Sequence, residues 1–216
     1  MQPTSLGEHL ALLASGAGVT VGISFVSILG GLFIGALVCA AGLARSRAAR
    51  RLAALYVSFF RGVPLLVQLL LIYHVLPAVG LDVPGLVAAV VGLTLCTAAY
   101  QAENLRGGFL NVGAGLVEAG WMVGLSAQQI LLRIRLPVAL RLVFPSVVNE
   151  AILILKASSL VSVVGVADLT RDAQNLAAST YRPLEAYGIA GAYYLVLNLA
   201  LAGGGSAASR LLGRGR

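Results

Sequence analysis

The sequence predicts an all-α integral membrane protein with five transmembrane helices. Three observations carry that fold class. Of 216 residues, 59% are hydrophobic and only 11% are charged, whereas a soluble domain of this size is near half apolar and a quarter charged. Apolar stretches long enough to cross a bilayer recur along the chain. Basic residues collect between alternate stretches instead of spreading evenly. Together these exclude an ordinary water-soluble enzyme and a disordered chain. The net charge of +7 follows from arginines held in cytoplasmic loops, so no nucleic-acid partner is expected. The whole chain, 1–216, reads as one transmembrane domain.

The run 9–44 contains no Asp, Glu, Lys or Arg. It is too long for the core of a secretory signal, and no signal peptide is predicted. It holds the first span, about 19–43, with an outer approach segment before it. Gly18 and Gly22 are four apart, as are Gly31 and Gly35. Either pair offers a face for close helix approach, or simply reflects a glycine-rich chain. Arg45, Arg47, Arg50 and Arg51 close this span.

The second span, about 52–76, is interrupted by Arg61. Pro64 lacks an amide and is expected to kink or start the span. Arg61 then snorkels to the headgroups or bonds freed carbonyls. Arg61, Gly62 and Pro64 are thus structural or gate candidates. Pro77, Gly80, Asp82, Pro84 and Gly85 mark a turn, and the third span covers about 86–102. In the mixed region 103–141 the apolar runs between charges are too short to cross. The fourth span covers about 142–166, a polar segment occupies 168–185, and the fifth span covers about 187–201.

Eleven of the fifteen basic residues fall in 45–51, 103–141 and the tail with Arg210, Arg214 and Arg216. That side is expected to be cytoplasmic, with the N-terminus outside and the C-terminus inside.

Glu103, Glu150 and Lys156 stand within or at the edge of apolar stretches. A charge in hydrocarbon costs at least about 2.5–3.5 kcal/mol, so such groups face a bundle interior or a watery path. Asn149 and Lys156 are seven apart and share a helix face, with Ser158 and Ser159 following. This set forms the substrate-pathway candidates, and a hydrogen-bond network between helices is the competing account. Glu103 and Arg106, three apart, suit a local ion pair. Cys39 and Cys96 lie in apolar runs as free thiols, and His9 and His74 lack neighbours at metal-ligand spacing. No phosphate-binding loop precedes Lys156, the single lysine, and no HExxH, GxSxG or paired-carboxylate motif occurs. Uphill transport therefore needs an ion gradient or another polypeptide.

From Glu118 to Pro137 the chain reads EAGWMVGLSAQQILLRIRLP. This resembles the signature loop of ABC-importer permeases: Glu-Ala-Ala, three residues, Gly, nine residues, then Ile-x-Leu-Pro. Glu118, Ala119, Gly124, Ile134, Leu136 and Pro137 fall at the matching places, and Gly120 replaces the second alanine. Further stretches are similar to the polar amino-acid branch of that family: GAGVT (16–20), FFRGVPLLVQLLLIY (59–73), AYQAENLRGGF (99–109) and NEAILILKASSLVSVVGVADL (149–169). STYRPLEAYGIAGAYYL (179–195) is similar to the histidine and basic amino-acid permeases. Where many relatives carry Asp-Thr-Ser after the lysine, this chain has Ala157, Ser158 and Ser159.

The resemblance implies the type I importer fold in a bacterial cytoplasmic (inner) membrane. It implies a second permease subunit, identical or homologous, two cytoplasmic ATPase subunits, an extracytoplasmic solute-binding protein and an amino-acid substrate. ATP and Mg would be held by the partner ATPase, with no cofactor on this chain and no catalysis by it. Glu118–Leu125 is expected to form a short cytoplasmic helix docking the ATPase, or one resting on the bilayer. In it Glu118 suits the helix start, Gly124 ends the helix, and Pro137 fits the first turn of the next. The competing function is a proton-coupled secondary transporter of small polar solutes, with Glu103, Glu150 and Lys156 as relays. Such chains commonly carry two repeated halves, and no internal repeat is visible.

Overall fold

A computed structural model of the chain describes residues 6–213, so Arg214 and Arg216 lie outside the described residues. Among the described residues every regular element is helical: α1 (Leu6–Leu43), α2 (Arg47–Gly62), α3 (Leu65–Ala78), α4 (Gly85–Leu110) and α5 (Ala114–Met122). Then come α6 (Ala127–Ile130), a π turn (Leu131–Arg135), α7 (Leu136–Ala157), a 3-10 segment (Ser158–Val164), α8 (Leu169–Thr180) and α9 (Pro183–Gly213). Among the described residues four helical courses are long and apolar enough to cross a membrane: Leu6–Leu43, Gly85–Leu110, Ala127–Val164 and Pro183–Leu211. The pair α2 and α3 makes a fifth if taken as one broken span, bent by 105°.

The bend falls at Val63 and Pro64, both extended, with ψ of 133° and 136°. Carbonyls freed by the break must find donors. The sequence reading offered them to Arg61, but Gln68 takes them. Its Nε2 donates to the Phe60 carbonyl at 2.9 Å and the Val63 carbonyl at 2.7 Å. Arg61 instead lies over the Tyr100 ring of α4, 5.3 Å from its centroid. Arg61→Ala is expected to lower the heat resistance of the purified chain by about the 0.5–2 kcal/mol a stacked cation contributes. Substrate preference should not change. A shifted preference at unchanged abundance would contradict that structural role.

Helices run further than the charge positions suggested. α4 continues past Ala102 to Leu110 because Arg106 forks onto Glu103 at 2.7 and 2.9 Å, neutralising both charges on the helix surface. The fourth course begins at Ala127, where Ser126 and Gln129 form a reciprocal cap. Between these helices only 111–126 remains, much less than the expected 103–141. Pro137 sits in the first turn of α7, as its missing amide suggests, and the preceding π turn keeps the course continuous from Ala127 to Val164. A proline ring collides with the carbonyl four residues back, and the wider π turn makes room for it.

Glycines decide how the helices stack. A Cβ on Gly30 would meet Thr94, and on Gly31 would meet Thr97. On Gly35 it would come within 2.9 Å of the Ala98 carbonyl oxygen and of Gln101 Cβ. Contacts that ascend together mean α1 and α4 pack in parallel, backbone to backbone. Gly18 and Gly22 are exposed, with open space around them. At one end of α4, Gly108 lies against Ala139 and Val143; at the other, Gly85 meets Val164, so the Ala127–Val164 course runs antiparallel to it. Cys39 and Cys96 are buried and free in α1 and α4.

α8 forms inside the polar segment 168–185, which the sequence reading left without a helix. Asp168 caps it, its carboxylate accepting from the amides of Arg171 at 3.0 Å and Thr170 at 3.2 Å. Burial pushes the Asp168 carboxyl above its ordinary range, while these amides pull it the other way. Leu169, Ala173 and Leu176 seat the helix on Leu13 and Ala17 of α1 and on Ala186 and Ala190 of α9. A second core gathers Ile23, Leu69, Leu93, Val161 and Val164 where α1, α3, α4 and the 3-10 segment meet.

Candidate functional site

The residues of the 118–137 motif come together as a helical hairpin. α5 begins at Ala114, not at the expected Glu118, so Glu118 sits mid-helix and gains nothing from the helix start. The far end is as the sequence suggested. Gly124 has φ +79°, and its amide bonds the Trp121 carbonyl while Leu125 bonds the Gly120 carbonyl, both at 3.0 Å. That paired closure is a Schellman motif, which needs the left-handed residue glycine supplies.

Gly120 is the one buried residue of α5 among the described residues. A Cβ there would lie 2.8 Å from Ile134 Cδ1 and 3.2 Å from Ile130 Cγ1. Hence a small residue at 120 and a branched one at 134 are the two sides of one contact, which accounts for part of the motif's fixed spacing. Glu118 and Ala119 face outward. Trp121, Met122 and Val123 form an exposed apolar tip, with Met122 89% exposed. Leu136 and Pro137 are half-buried where the π turn gives way to α7.

The pathway candidates divide. Glu150 is buried, 7% exposed, while Asn149 and Lys156 lie on the exposed face of α7. Lys156 lines a cavity of about 420 Å³ with Ile152 of α7 and with Tyr194 and Asn198 of α9. It makes no ion pair among the described residues. Ser158 does not join it; it is buried and donates to the Leu155 carbonyl at 2.8 Å. Ser159 is half-buried, its carbonyl accepting from Ser162 at 2.9 Å. Glu103 is held by Arg106 and not by a substrate-sized space of its own; the nearby 240 Å³ cavity is lined by both residues together with Arg50 and Cys39.

Sequence reasoning missed three polar groups. Gln68 staples the α2–α3 bend; its only signal was a lone amide in an apolar run. Gln101, fully buried in α4, has both amide atoms unpartnered. His9 reaches across 176 positions to Glu185, Nδ1 to Oε1 at 2.9 Å, joining the starts of α1 and α9. No group of His, Cys, Asp and Glu among the described residues is arranged to hold a metal ion.

Bilayer-length helices linked by a short exposed hairpin make this a polytopic component of the membrane. Residues 27–207 match the family described as binding-protein-dependent transport system inner membrane component. The chain is 37% identical over 203 residues to the glutamine transport system permease protein GlnP of Escherichia coli K12, covering 92% of this chain and 91% of that protein. It is 35% identical over 205 residues to the arginine transport system permease protein ArtQ of Bacillus subtilis 168, covering 94% of each. It superposes on a solved amino acid ABC transporter with a TM-score of 0.91 at 33% identity, covering 97% of this chain and 99% of that one. The chain therefore belongs to the binding-protein-dependent transport system inner membrane component family, has the type I importer permease fold, and is a multi-pass inner-membrane protein.

Proposed function

We propose that this chain is the permease subunit of an ATP-driven importer of polar amino acids, basic ones included. Its partners are a second permease subunit, two cytoplasmic ATPase subunits carrying ATP and Mg, and an extracytoplasmic solute-binding protein. The N-terminus stands outside and the C-terminus inside, as the arginine bias requires. Supporting this reading are the family, the amino-acid permeases among its relatives, and one contact above all: Gly120 seated on Ile130 and Ile134. That contact ties the exposed tip of α5 to a helical course running on to Val164. Motion imposed on the tip by a docked ATPase moves the course that carries Glu150 and Lys156.

Trp121, Met122 and Val123 supply the apolar surface for docking, and the closed turn at Gly124 keeps the hairpin rigid enough to transmit a push. On α7, the Lys156 ammonium faces a cavity shared with Tyr194 and Asn198. A substrate carboxylate fits there as a charge-assisted acceptor. Lys156→Met should cut uptake about tenfold, the factor that a loss of ~1.4 kcal/mol gives, with assembly intact. Unchanged uptake removes Lys156 from the pathway, and a subunit that fails to assemble assigns it to the structure instead.

The deciding assay is uptake into proteoliposomes holding the purified complex. With ATP inside and binding protein outside, amino-acid uptake is expected, and a protonophore should leave it unchanged. Uptake that needs a proton gradient and ignores ATP would contradict the proposal and favour a proton-coupled carrier.

A further inference from the structure

A third and larger cavity lies away from Lys156. It is a groove of about 630 Å³ between the C-terminal end of α1, the end of α4, and the π turn with the start of α7. Ala36, Ala40 and Leu43 form its α1 wall, Phe109 and Leu140 close the other sides, and Arg135 is its single charged lining residue. Ala36 and Ala40 are one helical turn apart, and their small side chains make the recess. From Ala36 to Leu43 the helix rises about 10 Å at ~1.5 Å per residue. That is roughly two-thirds of one hydrocarbon leaflet in a core about 30 Å thick. The Arg135 side chain is exposed and makes no ion pair or hydrogen bond among the described residues.

From this geometry we infer that the groove is a binding site for one anionic phospholipid. An acyl chain lies along Ala36, Ala40, Phe109 and Leu140, and the phosphate of the headgroup meets the Arg135 guanidinium. The occupant follows from charge and shape together. A helix of another subunit filling the groove would have to bring an acid to Arg135, whereas an anionic lipid carries apolar chain and negative head in the order the groove presents them. Basic pockets between helices at a membrane surface take anionic headgroups by this same combination. The groove is lined by Leu131, Arg135 and Leu136 of the hairpin's second arm and by no residue of α5. A lipid seated there wedges α1 and α4 against the π turn that carries Ile134.

The test uses the assembled complex in nanodiscs, with phosphatidylglycerol or phosphatidylcholine bearing a photoreactive diazirine on the acyl chain, followed by peptide mapping. In the wild type, adducts should fall on the peptides containing Ala40 and Phe109. Phosphatidylglycerol should be favoured about fivefold, the factor one arginine near a charged surface confers. Arg135→Gln should bring the two lipids to parity at these peptides, and Arg135→Lys should keep the preference. Ala40→Phe, which fills the recess, should remove the Phe109 adduct for both lipids and gives a second reading should Arg135→Gln misfold. The inference is overturned by a wild type without adducts at these peptides, or by a phosphatidylglycerol preference that survives Arg135→Gln. It is also overturned if a benzophenone side chain placed at position 40 crosslinks on irradiation to the second permease subunit, because a protein then fills the groove.

Discussion

Gly124→Asp is expected to abolish substrate uptake while the chain still inserts in the membrane. Gly124 holds φ +79°, a conformation that costs an ordinary L residue about 1–2 kcal/mol. Yet a Cβ there meets nothing within 4 Å, so the isolated chain accommodates the side chain with local strain only. The damage falls on the closing turn of α5 and on what docks beside it. The amides of Gly124 and Leu125 lose their set geometry toward Trp121 and Gly120, and a negative charge is placed next to the apolar tip. Substrate-stimulated ATP hydrolysis and uptake, measured together on the assembled complex, should both fall to background. Gly124→Asn should be milder, because asparagine tolerates the left-handed region. Wild-type uptake and stimulation in Gly124→Asp would show that this hairpin does not couple the subunits.

The second large effect is expected from Gly35→Leu, which should prevent the helices from packing at all. Three atoms crowd the Cβ position: the Ala98 carbonyl oxygen at 2.9 Å, Gln101 Cβ at 2.9 Å and the Ala102 amide nitrogen at 3.1 Å. Two of these are backbone, so no flexible side-chain end can yield. Overpacking a well-packed core costs about 1–3 kcal/mol, and here α1 and α4 must separate along their shared seam. Gly22→Leu is the control, since its Cβ meets nothing within 4 Å. The yield of monodisperse protein after detergent extraction should collapse for Gly35→Leu and hold for Gly22→Leu. Equal yields would mean the glycine seam does not set the α1–α4 distance.

Long-range order was legible where one physical cause acts alone. Hydrocarbon excludes charge, so uncharged runs marked bilayer-crossing segments, and a proline without an amide marked the break at Pro64. Gly124 was legible because only a left-handed residue closes such a turn. Legibility failed where groups compensate one another in space. The Glu103–Arg106 pair was legible from its spacing, but its consequence was not: the paired charges let α4 run past Ala102 to Leu110. Pro137 was legible as a first-turn residue, but the π turn that joins its helix to Ala127 has no local sequence signal. α8 was hidden in a polar stretch, its apolar side being only Leu169, Ala173 and Leu176.

The pathway stripe illustrates the same limit. Asn149 and Lys156 do share the exposed face that their spacing of seven implies. Ser158 stands two residues beyond Lys156, about 200° around the helix at ~100° per residue, so it faces the core even before the chain tightens into the 3-10 segment. Gln68 was passed over for a different reason. Arg61 carries a charge and drew the freed carbonyls in the sequence reading, yet Gln68 stands one turn inside α3, within reach of both.

Purification of this chain under mild detergent from its native membrane, with identification of every co-purifying polypeptide, tests the account most directly. An ATPase, a second permease subunit and a solute-binding protein are the expected companions, and ATP hydrolysis by the isolated complex should rise when loaded binding protein is added. A chain that purifies alone and, by itself, carries amino acids into vesicles on a proton gradient would contradict it.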